Sequence, residues 1–123
     1  MTLVHRANDS VFVPRSGTFI GEAFSSARET SIPDVRVTSV LFEPGSRTHW
    51  HRHEGGQVLV VTAGAGILGT RDGVVVSLSI GDVVVTPPGT EHFHGATDGS
   101  LLLHEAISFG PTHWLEEVTD IPG

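Results

Sequence analysis

The chain has 123 residues, enough for one domain and one core, and carries 7 basic against 14 acidic residues for a formal net charge of -7. The basic residues are scattered, which excludes the positive stripe that a nucleic-acid surface needs. The absence of cysteine excludes disulfides, a thiolate nucleophile and any sulfur-ligated zinc site, so a metal would have to be held by nitrogen and oxygen. The N-terminal "MTLVHRANDSVFVPRSG" lacks an unbroken apolar run, and no later stretch gives eighteen apolar residues free of breakers. The expectation is a soluble cytoplasmic protein without membrane or nucleic-acid partners.

Glycine (15) and proline (7) cut the chain into short apolar segments. In order, "VFVP" (11–14), "TFIGEAF" (18–24), "VRVTSVLF" (35–42), "THWHRH" (48–53), "QVLVVTAG" (57–64), "AGILGT" (65–70), "VVVSLSI" (74–80), "DVVVTP" (82–87), "EHFHGA" (91–96) and "SLLLHEAIS" (100–108) read as strands rich in Val, Ile, Phe and Thr. "RDG" (71–73) is a hairpin turn and "PPG" (87–89) a rigid turn before a histidine cluster. The helix candidate is a short segment at 111–118, "PTHWLEEV". This many short strands need to curl into a sandwich or barrel to avoid long exposed edges, so the fold class is all-β in one domain. An N-terminal strand arm covers about 1–30 and the barrel about 35–108.

Five of the eight histidines fall in two clusters, His49, His51 and His53, then His92 and His94. Alternate residues on a strand share a face, so the first three should point one way, and two imidazoles so placed can reach one ion, with a third ligand from another strand closing the set. Water-facing strand residues are the plainer reading of each histidine taken singly. The paired spacing argues against it.

As a pattern, Gly45, five residues, His51, one residue, His53, three residues, Gln57, six residues and Gly64 form the first motif. Gly81, five residues, Pro87, one residue, Gly89, two residues and His92 form the second. These resemble the two signature motifs of the cupin superfamily, with Gln57 where the family has Glu and Ala96 where the second motif closes on Asn. The resemblance implies a double-stranded β-helix, or jelly-roll barrel, holding a metal. "PGSRTHWHRHEGGQVLVVTAGAG" and "GDVVVTPPGTEHFHGA" further resemble a group of small bacterial cupins that includes manganese-dependent hydroxynitrile lyases and carboxymuconolactone-decarboxylase-related domains.

That narrower resemblance implies metal ligands at His51, His53, Gln57 and His92, with His104 as base. Manganese is the favoured divalent ion, with iron, cobalt, nickel, zinc and copper as alternatives. An amide in place of a carboxylate leaves the ion near +2 and makes it a better Lewis acid. Gln57 could instead hydrogen-bond to a ligand. His94 shares the face of His92 and is the second candidate for moving a proton. A lone histidine on an apolar face such as that of His104 is usually a satisfied core residue, and here that face would line the cavity.

Thr38, Val40, Phe42, His49 and Ser108 are candidates for the pocket wall. Trp50 and Trp114 read as packing or interface residues, and His5 and His113 as surface. The leading functional reading is a metal-dependent lyase of hydroxynitrile type acting on a small polar molecule. A quercetinase-type dioxygenase and a non-catalytic binding module stand as alternatives, and a homodimer is expected from the resemblance.

Overall fold

The computed structural model describes residues 2–119. Twelve strands carry the fold: β1 (Val13–Arg15), β2 (Phe19–Ile20), β3 (Ala23–Arg28), β4 (Val35–Phe42), β5 (Arg47–Thr48), β6 (His51–His53), β7 (Gln57–Thr70), β8 (Val75–Ser79), β9 (Val83–Thr86), β10 (His92–Ala96), β11 (Leu102–Phe109) and β12 (Thr112–Trp114). Every pairing is antiparallel. One sheet contains β1, β3, β4, β11, the first half of β7 and β9. The other contains β8, the second half of β7, β10, β5 and β2, with β6 joined to β10 and β12 to β6.

The "QVLVVTAG" and "AGILGT" segments form the single strand β7, which belongs to both sheets. Its Gln57–Val60 stretch opposes Thr86–Val83, and its Ala65–Gly69 stretch opposes Ser79–Val75. The bend falls at Gly64, where φ is +77° and a Cβ would run into the Leu101 carbonyl, so glycine is required. One strand turning from sheet to sheet closes the barrel, as the many-short-strand pattern predicted.

Between the sheets lies a core that includes Phe42, Leu59, Val61, Leu68, Leu78 and Leu102, all under a tenth exposed. β11 alternates buried and half-buried along its whole length, which places Leu102, His104, Ala106 and Ser108 on the inner face as the period of two requires. β4 places Thr38, Val40 and Phe42 inward beside them, through pairs such as His104↔Val40 and Ala106↔Thr38.

Three segments depart from expectation. The segment 111–118 is extended, not helical. β12 pairs with β6, and the chain beyond it continues through Leu115 N–H to the Trp50 carbonyl and Trp50 N–H to the Glu116 carbonyl. Eight residues are too few to hold a helix alone, while the free edge of β6 offers backbone partners to a Thr-His-Trp sequence with good strand propensity. Secondly, "THWHRH" is not one strand. It breaks at His49 and Trp50, whose N–H groups bond to Thr18 and Glu116 rather than to a regular ladder. The "TFIGEAF" segment likewise divides at Gly21 into β2 and β3, and the strands of the N-terminal arm pair within their own chain.

Candidate metal centre

β6 and β10 lie side by side with His51 opposite His92, and His53 follows two residues along the same face of β6. The three side chains offer ligand nitrogens that all lie within 4.8 Å of one another, and all three residues are buried. Two motifs forty positions apart thus converge at one point, as the spacing implied.

The outer nitrogens are already committed. His51 Nδ1 lies 2.9 Å from the His49 carbonyl, and His92 Nδ1 lies 2.9 Å from the Thr90 carbonyl. A carbonyl can only accept, so Nδ1 carries the proton in both rings and Nε2 keeps its lone pair. His53 Nδ1 meets the Thr112 hydroxyl at 2.9 Å, and its buried Nε2 has no partner among the described residues. Arg36 donates to the same hydroxyl oxygen at 2.8 Å. Each ring is therefore held by its far side and turned towards the centre, the usual arrangement for histidines that ligate a metal.

Gln57, at the start of β7, joins the cluster from the other sheet. Its amide nitrogen donates to Ser108 Oγ at 3.0 Å, which directs Oε1 to 3.2 Å from His92 Nε2. His92 has spent its one neutral-state proton on Thr90, so two lone pairs face each other across that gap. Such an arrangement calls for a cation between them. These donors, three imidazole nitrogens and an amide oxygen, fit a divalent transition-metal ion.

Burial keeps the rings neutral and ready to ligate. It lowers the His51 pKa well below its usual value, with repulsion from His92 adding to the effect, and it lowers that of His92. His53 falls to about 4 through burial, then the charges of His92 and Arg36.

Behind the triad sits a second imidazole pair. His104 Nε2 and His94 Nδ1 are 3.0 Å apart, and their other nitrogens, His104 Nδ1 and His94 Nε2, are buried without a partner among the described residues. Burial, then the neighbouring His104, lowers His94 well below the ordinary range; burial brings His104 to about 4. Phe42 packs edge-on against His94 and tilted against His104, with ring centroids at 5.8 and 5.3 Å. It thus lies behind the pair instead of on the open wall.

A cavity of about 450 Å³ opens over both clusters, within the usual range for a small-molecule site. Thr38, Val40 and Ser108 line it, as do His51, His53, Gln57, His94 and His104. His49 does not. The break at residues 49–50 shifts the phase, so Thr48 takes the inward place that strict alternation gave to His49, and the Thr48 hydroxyl accepts the His94 backbone N–H at 3.2 Å.

The sequence reading also missed Arg15, Arg36 and Thr112, which line the cavity. Trp114, read as packing, also lines it and lies tilted over His51 at 4.6 Å. Trp50 is a packing residue, set edge-on to Phe93 and under the Arg71 guanidinium at 4.0 Å. His5 is exposed and His113 half-buried, and His113 pairs with Glu54 at 2.5 Å.

Comparison with known proteins agrees with this geometry. A family model described as a cupin domain matches residues 38–103. An (R)-mandelonitrile lyase from Granulicella tundricola is 44% identical over 90 residues, 70% of this chain and 69% of that protein. A gentisate 1,2-dioxygenase from Ralstonia is 35% identical over 82 residues, 67% of this chain but only 20% of that larger protein. Among solved structures, a cupin-like protein from Thermotoga maritima superposes with a TM-score of 0.79 at 41% identity, covering 84% of this chain and 83% of the other. From motif, barrel and these relatives alike, the chain is a member of the cupin family.

Proposed function

We propose that this cupin is a metal-dependent lyase of hydroxynitrile type, cleaving or forming a bond at a hydroxyl-bearing carbon of a small polar molecule. The observation that carries the reading is the buried His94–His104 pair, with unpartnered nitrogens, in the cavity wall next to the triad. The 44% identity to an (R)-mandelonitrile lyase supports it.

His51, His53, His92 and Gln57 would hold one divalent ion, manganese in our reading. When bound, such an ion supplies Lewis-acid stabilisation of negative charge developing on a substrate oxygen. The chain's own part is proton movement. Two neutral imidazoles share one proton across the 3.0 Å contact, so a substrate hydroxyl proton taken at one outer nitrogen spreads over both rings. The low proton affinity of the buried pair favours returning that proton to a departing anion such as cyanide. Thr38, Val40 and Ser108 shape the space in which the substrate sits. We propose further that the chain works in the cytoplasm as a homodimer.

Cyanide release from mandelonitrile by manganese-loaded protein tests the reading. His104→Ala should abolish release while metal content stays at one ion per chain. Undiminished release in that variant would refute the role of the pair. The gentisate dioxygenase relative favours a second reading, oxygen activation on a hydroxylated aromatic, although the family's acid, which could serve as base, is Gln57 here. Oxygen uptake with gentisate, catechol or a flavonol would support it.

A further inference from the structure

None of the thirteen Asp and Glu residues among the described residues lines the cavity, whereas two of the seven arginines, Arg15 and Arg36, do. The candidate ligands are neutral, so a divalent ion held there would keep its whole charge. A protein of net charge -7 has thus made the cavity over its histidine clusters positive.

The two arginines differ. Arg36 is committed, donating to the Gly110 carbonyl at 2.7 Å and to the Thr112 hydroxyl at 2.8 Å. Arg15 is not. Its one side-chain hydrogen-bond partner among the described residues is Ser25 Oγ at 3.4 Å, and its guanidinium rests 4.8 Å from the centre of the Phe19 ring. The ion pairs among the described residues use Arg28, Arg71 and His113. Half-buried and without a carboxylate, Arg15 keeps most of its five donors free in the cavity wall.

A guanidinium fixed by an aromatic face and a hydroxyl, facing a space without acids, has the geometry of a carboxylate receptor. We propose that the substrate of this site is a small organic acid, whose carboxylate is gripped by Arg15 while a second oxygen is directed to the histidine cluster. The inference names the substrate class for the site described above and so rests on that site being a ligand cavity. It makes mandelonitrile, which is neutral, a surrogate for the natural substrate.

The test is binding, not turnover. Calorimetric titration of manganese-loaded protein would compare benzyl alcohol with 2-, 3- and 4-(hydroxymethyl)benzoate, which differ from it by a carboxylate at three positions. At least one acid should bind about tenfold or more tightly than the alcohol, since hydrogen bonds to charged groups are worth at least that. Arg15→Gln should remove the advantage, and Arg15→Lys should restore part of it. Metal content and benzyl alcohol affinity should be unchanged in both variants.

Equal binding of acids and alcohol would overturn the proposal. So would an advantage that survives in Arg15→Gln, which would place the carboxylate elsewhere, or loss of metal from that variant, which would make Arg15 a structural residue. Cyanide release without any carboxylate preference would sink this inference and leave the lyase reading standing. Arg15-dependent acid binding without cyanide release would do the reverse.

Discussion

Replacing His104 by Gln keeps an amide hydrogen-bond partner for His94 and removes one titrating group from the centre of the barrel. His104 is fully buried and its pKa is lowered from 6.5 to about 4. A folded-state value below the unfolded one means that the unfolded chain takes up a proton first as the pH falls. Stability is therefore fully present above about pH 6.5 and is lost progressively down to about pH 4. The whole effect amounts to about 3 kcal/mol, with about 1 kcal/mol lost by pH 5.5 and most of the remainder by pH 4.5. Urea unfolding of metal-free protein at pH 7.5, 5.5 and 4.5 measures this. Wild type should lose more stability than His104→Gln by about those amounts. Parallel pH dependences would refute the claim that His104 is held neutral by burial, and an imidazole NMR titration of wild type, showing protonation near 6.5, would refute it independently of the variant.

Thr112→Val keeps the β-branched shape of β12 but removes the oxygen that holds His53 Nδ1, so manganese affinity should fall by about 10- to 100-fold in a competition titration. Gln57→Glu puts a carboxylate beside the triad; metal should bind about tenfold or more tightly, and azide binding to the loaded site should weaken because the centre is less positive. Gly69→Ala drives a methyl group into the fully buried Phe93 ring and should cost about 1–3 kcal/mol in urea unfolding.

The parts of the site that could be read from sequence are those whose geometry follows from local period. His51 and His53 share a face because they are two apart on a strand, and the spacing of the two motifs brought His92 and Gln57 to the same place. His104 was legible through the alternation of β11. His49 was misplaced because a break at residues 49–50 changes the phase, and nothing in "THWHRH" marks where regular pairing stops. The mistaken helix at 111–118 came from weighing local propensity without the open edge of β6. The alternation of Thr112 and Trp114 about His113 was the available strand signal, and it would have found the His53 partner as well. Arg15 carried no local signal, since its place in the cavity wall depends on β1 pairing with β3.

The central claim is that His51, His53 and His92 hold one ion together. Anomalous diffraction at the manganese edge, with elemental analysis of the same crystals, tests it directly. One ion per chain is expected at the meeting point of the three Nε2 atoms, and none in His92→Ala. An anomalous peak elsewhere, or folded wild-type protein that takes up no divalent ion from any metal supplied, would contradict it.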